Sequence, residues 1–153
     1  MPYKHTQFSY LILVVTLIVL AIFAWAYITA SAEPVSYNSG PNFAMTSIMT
    51  LIVLLLASFI TLQVRIDEKH IAIKFGYGIF QKKFSLDDIL SVKTVKNHRY
   101  YGWGIRVWFW PKMWIFNISG FDAVELKMKN GKTYRIGSDE PKKLEQAILK
   151  WIK

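Results

Sequence analysis

Histidines and paired carboxylates are the first residues to weigh as a reaction centre, because they move protons or hold metals near neutral pH. His5, His70 and His98 lie in three unrelated contexts, and none has a second histidine at ligand spacing. The chain has no cysteine, which excludes disulfides, thiolate metal sites and thiol chemistry. Asp87-Asp88 is a weak carboxylate pair: neighbours in sequence do not share a face, and Ser85-Leu86-Asp87-Asp88 reads as a turn leading into a strand. Gly76-Tyr77-Gly78 and Gly102-Trp103-Gly104 lack the third glycine and the following helix of a phosphate loop, so they read as turn glycines. Lys82-Lys83 and Lys142-Lys143 read as solvated faces. No catalytic residue, metal ligand or cofactor site follows from these residues, and the expectation is a protein that is not an enzyme.

One stretch carries chemistry of another kind. In Tyr100 to Gly120, YYGWGIRVWFWPKMWIFNISG, 8 of 21 residues are aromatic and four of the chain's six tryptophans occur, together with Arg106 and Lys112. A third membrane span is excluded, since each of those charges costs about 2.5–3.5 kcal/mol at a bilayer centre. The alternation predicts a β-hairpin in which Ile105, Val107 and Phe109 share the core face and Arg106, Trp108 and Trp110 the outward one. Tryptophan beside lysine is the composition of membrane–water interfaces, where the indole is apolar with one polar N–H and lysine snorkels to headgroups. Arg106, Trp108, Trp110, Lys112, Met113 and Trp114 are therefore the candidate membrane or partner contact. The alternative is that these rings pack on the protein's own spans or helix.

The elements that must position this hairpin begin in lipid. A chain of 153 residues that is 53% apolar, with mean hydropathy +0.25, is too apolar for a small soluble domain. Two uncharged tracts, Tyr10 to Ala32 and Pro34 to Val64, flank Glu33, and each holds an apolar core of about 20 residues, the length that crosses about 30 Å of hydrocarbon. They predict transmembrane helices over 8–30 and 43–63, joined as a hairpin by a turn-rich connector, with a second domain over 64–153. Lys4, Arg65 and Lys69 flank the spans, and Glu33 to Asn42 has no basic residue, so both termini are expected on the cytoplasmic side of a multi-pass protein and the connector outside. Ala30-Ser31-Ala32 also has the form of a signal-peptidase site, although the apolar stretch is too long for a signal peptide. Asn117-Ile118-Ser119 is a glycosylation sequon that this topology would leave unused.

After Val64 the period becomes alternating, and the basic excess appears: 18 Lys and Arg against 9 Asp and Glu. Runs at Ile66, Ile71 to Phe75, Phe80 to Phe84, Ile89 to Val95, Ile105 to Trp110, Trp114 to Ile118, Val124 to Met128 and Thr133 to Ile136 read as strands, with Asn130-Gly131 a hairpin turn. Leu144, Ala147, Ile148, Trp151 and Ile152 then form one apolar helical stripe, started by Ser138 as cap and Asp139 and Glu140 in the first turn. The expected fold is α+β: the helical hairpin, then a partly open β-barrel of about seven strands capped by a C-terminal helix, the pattern of a pleckstrin-homology-like domain.

The runs QVRIDEKHIAIKFGYGIFQKKFSLDDILSVKTV and YGWGIR followed by WIFNISGFDAVELKMKNGKTYRIGSDEPKKLEQAI resemble the two halves of bacterial PH-like domains found in small membrane proteins. The resemblance covers residues 64 to 152 and implies a domain on the cytoplasmic face of the bacterial inner membrane, with no common activity. The first hairpin loop, Ile66-Asp67-Glu68-Lys69-His70, is half acidic, unlike the basic loop of phosphoinositide-binding PH domains, which argues against such a site. The expected function is a non-catalytic, membrane-anchored interaction or regulatory module. Its expected partners are membrane lipids and another membrane protein or a second copy of itself, with no nucleic acid and no small-molecule substrate. The runner-up is a membrane-tethered nucleic-acid binder that uses the basic surface and exposed rings as a stacking platform.

Overall fold

The computed structural model describes residues 3–32 and 43–152. Two helices leave a β-structure and return to it: β1 (Tyr3–Phe8), α1 (Tyr10–Ala32), α2 (Phe43–Ala57) and β2 (Thr61–Ile66). β1 pairs antiparallel with β2, from Tyr3 opposite Ile66 to Phe8 opposite Thr61. The start of α1 and the end of α2 therefore lie at the same end of the sheet, and the Ser9 N–H donates to the Ile60 carbonyl at 2.8 Å.

The expected pair of spans is corrected. Among the described residues only α1, 23 residues and about 34 Å at 1.5 Å per residue, is long and apolar enough to cross a bilayer. α2 has 15 residues, about 22 Å, and falls short. Hydropathy overran it because Thr61, Leu62 and Val64 are as apolar as a helix end but open a strand; Ser58, whose N–H donates to the Leu54 and Leu55 carbonyls, ends the helix first. A two-helix transmembrane hairpin is not what forms, and with it goes the multi-pass placement in an inner membrane. Glu33 to Asn42, expected outside, lies beyond the described residues. α2 packs beside α1 with Thr46, Thr50 and Val53 turned toward Phe23 and Tyr27.

The barrel of about seven strands is corrected too. The described residues form nine strands in two sheets. The first has the order β1-β2-β3-β4, with β3 His70–Phe75 and β4 Phe80–Ser85. The second contains β5 (Ile89–Lys96), β6 (Gly104–Phe109), β7 (Lys112–Asn117), β8 (Asp122–Met128) and β9 (Thr133–Gly137), in the order β5-β8-β9-β7-β6. Every ladder is antiparallel except β7 with β9. No ladder joins the two sheets, so the barrel is not closed: β4 pairs only with β3, and β6 only with β7.

The core lies between the sheets. Leu62, Ile66, Ile71 and Ile73 from the first meet Val124, Leu126 and Ile136 from the second, all essentially without solvent contact. α3 (Pro141–Leu149) packs on β5 and β8 and drives Leu144 and Ile148 into this core. Its cap position is Glu140 rather than Ser138, whose hydroxyl instead accepts the Glu140 N–H at 3.1 Å.

β1 also ties the two sheets together. Gln7 is buried, its amide nitrogen donates to the Gly137 carbonyl at 3.0 Å, and its amide oxygen accepts the Asp139 N–H at 3.1 Å. His5 lies 2.6 Å from Asp139. Gly137 has no alternative at this crossing, since a Cβ there would stand 2.1 Å from the Asn117 side-chain oxygen.

Candidate functional site

The β6–β7 hairpin pairs Ile105 with Phe116, Val107 with Trp114, and Phe109 with Lys112 on the face toward the core, leaving Trp110 and Pro111 as the turn. Phe116 belongs to the main core and Ile105 packs against it, but the cover ends there. Val107 is 41% exposed, Trp114 40%, Phe109 83% and Trp110 93%. The hairpin thus carries a core-type face out beyond the core: Trp114 still stacks on Phe116, while Phe109 and Trp110 at the tip stand almost fully exposed.

The opposite face is covered. Tyr101, Met113 and Ile115 form a second small core against which Trp108 packs, and the ring centroids of Tyr100 and Tyr101 lie 5.6 and 5.0 Å from that of Trp108. The segment Arg99–Tyr101 lies over this face and is joined to β9 through Arg135, whose guanidinium lies over the Tyr101 ring. Arg135 also bonds Glu125 at 2.8 Å and the Asn97 side-chain oxygen at 3.2 Å. Burial, with Tyr100 beside it, holds the Tyr101 hydroxyl above its ordinary pKa, and Arg135 opposes the shift.

Of the six contact candidates, the structure brings Trp110, Lys112, Trp114 and Arg106 to the surface, with Arg106 donating to the Trp103 carbonyl at 3.2 Å. Met113 is corrected: it is 2% exposed and part of the second core. Trp108 is half-buried and belongs with it. Phe109 was expected in the core and is among the most exposed rings. Sequence alternation assigned its side of the strand correctly, but alternation carries no information on how far a strand outruns its sheet.

Between the hairpin and β4 lies a cavity of about 360 Å³. Ile79, Phe80 and Lys82 form one wall, Ile105 and Trp114 the other, and Phe75 and Phe116 the floor. Phe59, just after α2, stacks on Phe80 at 5.3 Å and meets Phe75 edge-on at 5.4 Å, so the cavity shares its floor and wall with the helix-bearing end of the domain. Gly76 makes that junction possible, since a Cβ there would lie 2.5 Å from the Ser58 carbonyl oxygen. No acidic residue lines the cavity, and Lys82 and Lys132 stand at its rim with no ion-pair partner among the described residues. Lys112 and Lys132 each stand one residue before the paired Met113 and Thr133, so the parallel pairing brings both charges to the same end of the sheet.

The residues first weighed for chemistry are scattered. His5 is tied to Asp139, His98 stacks on Tyr100 at 5.1 Å, His70 is exposed, and Asp87 and Asp88 lie in a short 3-10 turn. Among the described residues no three of His, Cys, Asp and Glu come together. No protein-family model matches the chain, and no curated protein matches it in sequence.

Proposed function

We propose that the chain is a non-catalytic, membrane-associated interaction module in which α1 provides attachment to the membrane and the Phe109–Trp110 tip touches an anionic lipid surface. The observation that carries this reading is the uncovered core-type face of the β6–β7 hairpin, rimmed by Lys112 and Lys132 and adjoining the end from which the apolar helices leave. A chain that must keep such a face in water gains nothing from it. Beside lipid, each ring removes apolar area from water, and each basic residue near an anionic surface adds about 1 kcal/mol. Neither contribution anchors a protein alone, so the tip orients a domain that α1 already holds. Part of the basic excess is paired, Lys93 and Arg135 with Glu125 and Arg65 with Asp67, which favours lipid over a nucleic-acid strand as the partner.

The cysteine-free chain allows a single nitroxide label at Trp110→Cys, with Lys150→Cys as a control. In liposomes of phosphatidylglycerol and phosphatidylcholine, the label at 110 is expected to collide more with oxygen than with a water-soluble nickel chelate, and the control to do the reverse. Equal, aqueous behaviour at both positions would overturn the lipid reading. Immobilisation at 110 only in native membranes would replace the lipid by a protein partner.

A further inference from the structure

The cavity between β4 and the hairpin has a property that surface contact does not use. On β4, Phe80, Lys82 and Phe84 occupy the inward positions, opposite Phe75, Ile73 and Ile71 of the core. A lysine thus stands at an inward position between two phenylalanines. A charged inward residue on an edge strand can serve simply to prevent another strand from adding there. Here a second lysine, Lys132, reaches the same rim from the other sheet, and the space between them is floored by Phe75 and Phe116 and walled by Trp114. An edge guard accounts for the first lysine and for none of the rest. An apolar floor, two unpaired cations at the mouth, no acid in the lining and about 360 Å³ of room, within the usual range for small-molecule pockets, together describe a ligand.

We propose that this cavity binds a single-chain anionic amphiphile, a fatty acid or a lysophospholipid, with the hydrocarbon chain against Phe75, Phe116, Ile105 and Trp114 and the carboxylate or phosphate between Lys82 and Lys132. Charge complementarity commits the mouth to an anion, and the aromatic floor commits the interior to a hydrocarbon chain. A second protein strand is the poorer occupant, because Lys82 opposes its addition at the β4 edge. The proposal goes beyond the surface contact and does not require it, since the ligand can arrive from a bilayer or from water.

The test uses the full chain in phosphatidylcholine nanodiscs with a palmitate analogue carrying a terminal diazirine, followed by light and peptide mapping. Label is expected on the peptides of 79–82 and 105–116, and competition by unlabelled palmitate or lysophosphatidylglycerol identifies the preferred head. Lys82→Gln with Lys132→Gln is expected to reduce labelling by the acid about fivefold, the scale of two exposed ion contacts, and to leave labelling by the matching fatty alcohol unchanged. Ile105→Trp, which fills the cavity, is expected to remove the label from 79–82. Label confined to α1 and α2 in the unaltered chain overturns the proposal, as does equal loss for acid and alcohol. The outcome is separable from the nitroxide result at position 110, which reports the tip and not the cavity.

Discussion

Val107 stands directly across the ladder from Trp114, on the face that one pair further along delivers Ile105 and Phe116 to the core. The two pairs differ in cover and not in chemistry, because the first sheet ends at β4 and, among the described residues, the cover thins from Trp114 outward to the exposed Phe109 and Trp110. Side chains without neighbours contribute little to stability. Phe109→Ala and Trp110→Ala are therefore expected to change the unfolding free energy by no more than about 0.5 kcal/mol, while Trp108→Ala, which strips the cover from Tyr101 and Met113, costs about 1–2 kcal/mol. Urea unfolding of the three variants checks the order, and a large loss from Trp110→Ala would show that the tip is packed.

Gln7 tests whether β1 belongs to the fold. Replacing it by alanine leaves the Gly137 carbonyl and the Asp139 N–H without their partner in a buried setting, and an unpaired buried polar group costs about 1–3 kcal/mol. Gln7→Ala is expected to lower stability by that amount, and deletion of residues 3–8 by more. Unchanged stability in both would make β1 an accessory.

Much of the second sheet was legible because the runs from Ile89 to Ile136 have strand character, but on β6 only Ile105 of the expected core face packs on the core, while Val107 and Phe109 are exposed and Trp108, expected outward, packs on the second core. β1 was not legible, for a physical reason: its inward positions, opposite Leu62, Val64 and Ile66, are Gln7, His5 and Tyr3, so no hydrophobic period exists to detect. Its place is set by its ladder with β2 and by Gln7 hydrogen bonds to partners more than a hundred residues away. α2 was overestimated because an apolar strand following an apolar helix has the same hydropathy as a longer helix. The parallel pairing of β7 with β9 leaves no mark in either strand. The contact residues were half legible: composition located the hairpin, while cover, which separates exposed Phe109 from buried Met113, depends on where the first sheet stops.

The C-terminal helix offers a sharper stability test. Leu144 and Ile148 are fully buried against β5 and β8, whereas Lys142 is exposed. Leu144→Asp or Ile148→Asp would bury a carboxylate with no cation beside it, and either is expected to unfold the domain; Lys142→Asp is expected to shift the melting temperature little. Equal melting of all three would mean the helix does not close the core.

Glu125 and Arg135 form the most enclosed ion pair, with side chains 7% and 15% exposed. Arg135→Met is expected to cost about 3 kcal/mol, because it leaves the Glu125 carboxylate with only the more exposed Lys93 at 3.5 Å and also removes the cation over Tyr101. The double change Glu125→Leu with Arg135→Met is expected to recover most of that loss. A double variant no better than the single one would show that the pair stabilises by more than mutual compensation.

Tyr3 ties stability to alkaline pH. Its hydroxyl is buried without a hydrogen-bond partner among the described residues, and its pKa is pushed up to about 12 by burial first and by the neighbouring Glu140 and Asp139 charges second. In the unfolded chain the same phenol titrates near pH 10. Above about pH 10 the unfolded state releases a proton that the folded state keeps, so the stability contributed by this site is complete below pH 10 and is lost as pH rises toward about 12. Tyr3→Phe removes the titration and keeps the ring, and it also removes an unpaired buried hydroxyl, so it is expected to be neutral or slightly stabilising at pH 7. Unfolding of both forms between about pH 9 and pH 11 isolates the site from the other tyrosines and lysines, which titrate equally in each. The native chain is expected to lose stability faster than Tyr3→Phe across that range; parallel curves would mean that the Tyr3 ring is not buried beside Asp139 and Glu140.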